Sequence, residues 1–186
     1  MPKVQSENSS PSERLTLTAP PEPLAILDRD LMDRAAAASR QATRKRIILP
    51  FHKSHEDAFQ RMLNTIQPGS YIRPHRHIDP PKAESIVVLR GALCFIVFTD
   101  RGIVERHFDL RFDGPRIGVD MEPGIWHTFF ALAPDTAVFE AKPGPYRTST
   151  DKDFARWAPK ENEPGAKGYL ADLYAATSHA TALPVD

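Results

Sequence analysis

The chain has 186 residues, which is the size of one domain with some room for extensions. Hydrophobic residues make up 41% of it and charged residues 26%, as in ordinary soluble globular proteins. The 24 basic and 24 acidic side chains cancel, so net charge gives no reason to expect nucleic acid or an anionic membrane surface as the partner.

No part of the sequence has the length and apolarity of a signal peptide or of a membrane-spanning helix. The single cysteine, Cys94, cannot form an internal disulfide, which is typical of proteins from a reducing compartment. We therefore expect a cytoplasmic protein that binds a small molecule and neither nucleic acid nor a membrane.

The N-terminal region divides into a polar leader and a helix. Residues 1–23 are rich in Ser, Pro and charge, which predicts a disordered leader. Apolar residues recur at helical spacing in residues 24–43, and four consecutive alanines favour the same helix. A basic cluster ends this segment, and we interpret it as a solvated helix end rather than a phosphate site. Its members are Arg40, Arg44, Lys45 and Arg46.

Residues 44–160 predict an all-β core, because short β-prone runs alternate with turn signals there. No run is followed by a helix long enough for a parallel crossover, so we predict an antiparallel double-sheet barrel of the jelly-roll type. The predicted strands are 47–51, 59–67, 70–77, 84–90, 93–99, 102–110, 118–121, 126–132 and 136–142. We interpret residues 150–159 as an ordered loop and residues 161–186 as a C-terminal helix and tail.

The strand 93–98 is apolar at both parities, so both of its faces must be covered. The cover on the outer face is the N-terminal helix, a C-terminal helix near residues 166–176, or a second subunit. We favour a homodimer, and we interpret Cys94 within this strand as a core residue.

Two histidines stand on an extended segment. Pro74 biases its predecessor away from helix, and residues two apart on an extended chain point to the same face, so His75 and His77 project together. Such a pair can chelate one ion, although it also occurs by chance. Glu84 opens an otherwise apolar strand, where it is either exposed or in need of a cation. His127 follows a tight turn at the start of another apolar strand.

These residues resemble the two boxes of the cupin family. In the first box a glycine, five residues, His-x-His, a spacer, Glu, six residues and a glycine follow one another, and Gly69, His75, His77, Glu84 and Gly91 match it. The spacer before the glutamate is longer here than is usual in the family. In the second box, Pro-x-Gly followed after two residues by His, Gly124 and His127 match, while Glu122 replaces the proline and Pro123 stands beside it.

The sequence is still more similar to the bacterial WbuC-type cupin metalloproteins. The resemblance lies in residues 60–64, 68–71, 74–77, 123–127, 142–146 and 151–159, and it extends from about Arg44 to Tyr174. It implies a cupin barrel that holds one divalent metal through His75, His77, Glu84 and His127. It implies no particular reaction.

Three imidazoles and one carboxylate suit Fe, Mn, Ni or Zn and disfavour Ca and Mg. We predict a metal-dependent enzyme that acts on a small sugar-like or anionic substrate by oxygenation or isomerisation. The alternative is a non-catalytic module that binds or senses a carbohydrate-like ligand. No second acid–base residue is evident from the sequence. The predicted substrate contacts are Tyr71, Arg73, Lys142 and Tyr146, with surface positions at strand ends as the alternative for the first three.

Overall fold

The structure is a computed structural model and describes residues 13–179. Two helices flank ten strands, most of which begin and end within two residues of the predicted bounds. In chain order the elements are α1 (Arg29–Gln41), β1 (Arg46–Pro50), β2 (Phe59–Ile66), β3 (His75–Arg76), β4 (Glu84–Arg90), β5 (Ala92–Phe98), β6 (Val104–Arg111), β7 (Gly118–Met121), β8 (Trp126–Ala131), β9 (Thr136–Pro143), β10 (Asp153–Phe154) and α2 (Gly165–Ala176).

The strands form two five-stranded sheets with antiparallel pairing. One sheet has the order β1-β2-β9-β4-β7 and the other has the order β10-β3-β8-β5-β6. Consecutive strands often lie in different sheets, as in a jelly roll, and the inner faces of the two sheets enclose one apolar core. The structure confirms the predicted antiparallel barrel with one N-terminal and one C-terminal helix.

The barrel interior is apolar over most of its depth. Because side chains alternate along a strand, each strand contributes every second residue to this interior. The core members contributed by β4, β5, β8 and β9 are Ile86, Val88, Leu93, Phe95, Val97, Phe129, Ala131 and Val138. Towards one end of β4 and β9 the same inward positions become charged, and the candidate site lies there.

The outer face of β5 is covered by α2. Cys94, Ile96 and Phe98 pack with the buried side chains of this helix, and Tyr174 stacks on Phe130 with ring centroids 3.8 Å apart. Of the three predicted covers, the structure therefore places the C-terminal helix on this face. The homodimer stays a prediction. No helix within residues 13–179 is long and apolar enough to cross a membrane.

The first helix begins at Arg29, later than residue 24, because Asp28 caps it. The Asp28 carboxylate accepts a hydrogen bond from the backbone N–H of Leu31 at 2.8 Å, and the preceding Leu24 is 77% exposed. Part of the predicted leader is paired with the barrel, since Leu17 N donates to Ile48 O at 2.8 Å. Residues 1–12 of that leader lie outside the described residues.

Replacing Asp28 with alanine is expected to lower the free energy of unfolding by about 1 kcal/mol, because the N-terminal N–H groups of α1 lose their cap. Urea denaturation measures this loss. Asp30→Ala is the matched control, since Asp30 lies in the first turn without capping it, and we expect it to cost only a few tenths of that amount. Equal losses in the two variants would contradict the assigned cap.

Two further predictions are corrected by the structure. Residues 70–74 are extended but join no sheet ladder, because their carbonyls are used elsewhere: Ile72 O accepts from Thr128 Oγ1 and Pro74 O from Ala155 N. The basic cluster is also not simply solvated. Arg46 is buried and donates to Glu161 at 2.6 Å, because a buried guanidinium needs a carboxylate partner.

Candidate metal centre

Both sheets contribute to one polar cluster at the charged end of the barrel interior. His75 on β3 is paired directly with His127 on β8, and their ring centroids lie 4.5 Å apart. Glu84 reaches the same point from β4 in the opposite sheet. Gly124 turns the chain before β8 with a φ of +89°, a left-handed conformation that favours glycine, and its N–H donates to His77 O at 3.0 Å.

Each histidine ring is oriented by a backbone carbonyl. Nδ1 of His75 lies 3.0 Å from Arg73 O, and Nδ1 of His127 lies 2.9 Å from Ile125 O. Nδ1 of His77 is likewise bonded to Asp151 O. Because a carbonyl only accepts hydrogen bonds, Nδ1 carries a proton in all three rings, and a neutral ring then has its lone pair on Nε2. This is the arrangement that fixes histidines as metal ligands through Nε2.

The donor atoms are close enough for one ion. One potential ligand atom from each of the four residues lies within 4.8 Å of the others. Glu84 Oε2 is 3.2 Å from His77 Nε2 and 3.4 Å from His127 Nε2. Metal bonds of about 2.1 Å place neighbouring ligand atoms about 3.0–3.4 Å apart, so these separations fit a shared cation.

Burial makes the cluster costly without a cation. All four side chains are at most 4% exposed, and His127 Nε2 has no hydrogen-bond partner among the described residues. A buried polar atom without a partner is costly, and a bound cation would satisfy this lone pair. The residues therefore fit a divalent metal.

The electrostatics suit metal binding as well. Burial, Lys152 and His127 lower the pKa of His75 well below its usual value, which keeps this ring neutral. Burial raises the pKa of Glu84, but the charge of Lys142 and the closeness of His127 and His77 together bring it well below its usual value. The cluster thus offers a neutral imidazole and an ionised carboxylate at neutral pH.

A buried ion-pair network adjoins the cluster. Asp151 accepts hydrogen bonds from Lys82 Nζ at 2.9 Å and from Lys142 Nζ at 2.8 Å, and Lys142 Nζ also lies 3.7 Å from Glu84 Oε1. Asp151 belongs to residues 144–160, which follow β9 and pass beside the cluster, and which we call the strap. Burial lowers the pKa of Lys142, but Glu84 and Asp151 raise it overall, so its ammonium stays charged.

Hydrogen bonds from neighbouring strands and loops hold the strap over the site. Arg73 donates to the carbonyls of Ala155 and Ala158, and Arg76 donates to Asp153 Oδ2 at 2.8 Å. The two residues of β10 pair with β3, which places Phe154 opposite His75. Part of the predicted ordered loop is thus a short strand attached to the ligand-bearing segment.

Of the four predicted substrate contacts, the structure brings only Lys142 to the cluster. Tyr71 is buried and donates its hydroxyl to Pro159 O at 2.9 Å, and the guanidinium of Arg73 is used by the strap. Tyr146 packs against His55 with ring centroids 5.0 Å apart. We find Tyr71, Arg73 and Tyr146 in positions that support the strap and its surroundings, so their predicted contact with substrate stays a prediction.

The structure adds acid–base residues that the sequence reasoning did not single out. Glu140 lies on β9 two residues before Lys142, on the same inward face, and accepts a hydrogen bond from Asn64 Nδ2 at 2.7 Å. Burial and the charge of Glu84 raise the pKa of Glu140. Lys152 on the strap is partly buried beside the cluster. A glutamate inside the apolar run of β9 was the signal for Glu140, whereas nothing in the sequence pattern distinguished Lys152.

A second group of candidate ligands lies under α2. Cys94, Asp109 and His179 offer donor atoms within 4.8 Å of one another. Here both ring nitrogens of His179 already have partners, with Nδ1 3.1 Å from Thr177 Oγ1 and Nε2 3.1 Å from Asp109. Burial raises the pKa of the Cys94 thiol to about 12. The histidine of this group therefore already has hydrogen-bond partners, and the group joins the residues after α2 to the sheet.

Comparisons with known proteins gave one family model and a number of similar solved structures. The family model described as "Domain of unknown function (DUF6016)" matches residues 27–110, which is less than half of the chain and omits His127. No curated protein matches the chain.

Similar solved structures include KdgF from Halomonas sp., at 19% identity over 56% of this chain and 82% of that chain, with a TM-score of 0.41. An L-ribose isomerase from Cellulomonas parahominis is 16% identical over 67% of this chain and 77% of that chain, with a TM-score of 0.47. A cupin 2 domain-containing protein from Halorhodospira halophila is 20% identical over 70% of this chain and 74% of that chain, with a TM-score of 0.38. At such identities these similarities assign no activity to the chain.

Proposed function

We propose that the protein is a cupin-type metalloenzyme that holds one divalent transition metal through His75, His77, Glu84 and His127. The observation that carries this proposal is the convergence of three imidazoles on one buried carboxylate, each imidazole fixed by its Nδ1–H on a backbone carbonyl. A purely structural hydrogen-bond network would not leave His127 Nε2 buried without a partner.

The chemistry of the donor atoms limits which metals the site can bind. Three imidazole nitrogens and one carboxylate oxygen favour Fe, Mn, Ni or Zn, and the absence of an all-oxygen shell disfavours Ca and Mg. When bound, such an ion would supply Lewis-acid polarisation of an oxygen substituent on the substrate. The WbuC-type assignment belongs to this proposal too, and it rests on the sequence motifs.

For the reaction, we favour proton transfer, as in an isomerisation, over oxygenation. A group able to hold or move a proton, Glu140, lies beside the cluster on the inward face of β9. Asn64 fixes the Glu140 carboxyl by its hydrogen bond, which is how a general acid or base is kept in one orientation. An oxygenase has no need of such a group, whereas an isomerase acting on a hydroxylated substrate uses one to carry a proton between two atoms of the substrate.

The first test is the metal content of the purified protein, measured by mass spectrometry. We expect about one Fe, Mn, Ni or Zn per chain in the wild type and none in the His75→Ala/His127→Ala variant. His107→Ala is the matched control, because His107 is exposed on β6 away from the cluster, and it should keep the metal. Wild-type protein that remains metal-free after anaerobic reconstitution with each of the four ions would overturn the proposal.

The same metal-loaded protein then decides the class of reaction. Sugars and hydroxy acids are incubated with it in D2O and followed by NMR, while an electrode records O2. Metal-dependent exchange of a C–H proton supports isomerisation, and metal-dependent O2 uptake supports oxygenation instead. Saturable shifts of protein signals without any product would identify a non-catalytic binding module and overturn the enzymatic part of the proposal.

A further inference from the structure

We propose that the ligand of this site carries a small oxyanion, a carboxylate or a phosphate, which is held by the ammonium group of Lys152. This inference rests on the metal site proposed above and narrows its substrate from a polar molecule to an anionic one.

The pairing of the strap with β3 directs Lys152 towards the cluster. Asp153 is paired with Arg76 and Phe154 with His75, so the same register places Lys152 beside His77. Alternate residues share a face. Phe154 accordingly lies against His75, with ring centroids 6.0 Å apart, while Asp153 turns the other way to bind Arg76. Lys152 has the parity of Phe154 and therefore faces the histidines.

Lys152 differs from the other two lysines of the site in having no partner. Lys82 and Lys142 are both bonded to Asp151. Within residues 13–179, Lys152 makes no hydrogen bond and no ion pair, although it is partly buried. Burial and the charge of Lys142 lower the pKa of Lys152, against the opposing pull of Glu84 and Glu140. A partly buried ammonium group without a partner would be stabilised by a bound anion.

The balance of charge points the same way. The carboxylates of Glu84, Glu140 and Asp151 match the ammonium groups of Lys82, Lys142 and Lys152 in number. A divalent ion added to this balanced set leaves two positive charges uncompensated. Uncompensated buried charge is unfavourable, so a ligand that brings negative charge is favoured over a neutral sugar.

Lysine suits this role because its ammonium acts as a compact point charge for carboxylates and phosphates alike. The position of Lys152 on the strap would also let the site select anionic ligands over neutral ones. An anionic ligand would bridge the fixed cluster in the barrel and the strap that covers it, since Lys152 follows Asp151, which is already tied to Lys82 and Lys142.

Calorimetric titration of the metal-loaded protein tests this inference, with malonate and inorganic phosphate as the two probes. Lys152→Met removes the charge and Lys152→Arg keeps it. Lys160→Met is the matched control, because Lys160 lies on the same strap with its side chain 71% exposed and paired only with Glu163. The metal content of every sample is measured alongside. Lys152→Met should fold normally, since it removes no hydrogen bond and no ion pair within residues 13–179 and keeps the apolar part of the side chain.

We expect the wild type to bind at least one probe, and Lys152→Met to bind it about tenfold to a hundredfold more weakly with its metal retained. Lys152→Arg should bind within about tenfold of the wild type, and Lys160→Met should match it. Preference for malonate or for phosphate identifies which oxyanion the site takes.

Undiminished binding by Lys152→Met, or a metal-loaded wild type that binds neither probe, would overturn the inference. A wild type without metal would overturn the proposed function itself, and the metal content alone reveals that case.

Discussion

Replacing Asp151 with alanine is expected to lower the free energy of unfolding by about 3–5 kcal/mol. The Asp151 carboxylate is buried and accepts hydrogen bonds from two buried ammonium groups, Lys82 at 2.9 Å and Lys142 at 2.8 Å. Its removal leaves both lysines without their shared partner, and a buried charge that loses its partner costs more than the ion pair contributed. Urea denaturation followed by circular dichroism measures the loss.

Asp153→Ala is the control for this variant. Asp153 lies two residues further along the strap and pairs with Arg76 in a partly exposed ion pair, which is expected to contribute less than about 1 kcal/mol. Adding Lys82→Met to Asp151→Ala should recover part of the lost stability, because it removes one of the two stranded charges. An Asp151→Ala variant as stable as Asp153→Ala would show that the network is not the link between the strap and the barrel.

The sequence predicted those parts of the site that depend on local chain geometry. His75 and His77 lie on one face because they are two residues apart on a segment kept extended by Pro74, and that much is local. The strands were predictable for the same reason, since apolar side chains at every second position mark a half-buried strand wherever it pairs. Glu84 joins them despite its long spacer, because β4 brings it in from the opposite sheet.

What the sequence did not predict depends on pairing between distant segments. Lys142 approaches Glu84 because β9 lies beside β4, and the residues of this pair are far apart in the chain. Tyr71 was predicted to contact the substrate, but residues 70–74 join no ladder, and its hydroxyl is bonded to the strap. Nearness to a metal ligand in the sequence was therefore a poor guide to contact with the cluster. Residues 151–159 contributed to the family resemblance, but nothing in them indicated that Lys152 approaches the metal ligands.

Metal binding is expected to stabilise the fold by about 2.7–4.1 kcal/mol when the free metal exceeds its dissociation constant 100-fold to 1,000-fold. The reason is that the four ligands converge only in the folded barrel. His75 and His127 come from one sheet and Glu84 from the other, and His77 follows β3 directly. Urea denaturation with added metal, and again with a chelator, measures the difference. The His75→Ala/His127→Ala variant should show no such difference, whereas His107→Ala should keep all of it.

Metal binding should also stabilise the strap. His77 offers Nε2 to the cluster while its Nδ1 is bonded to Asp151 O, so the ring joins the metal site directly to the strap. Chelation is therefore expected to increase hydrogen exchange in residues 144–160 more than in β5, which lies deep in the barrel. Equal exchange in the strap with and without metal would show that the strap is held by the lysine network alone.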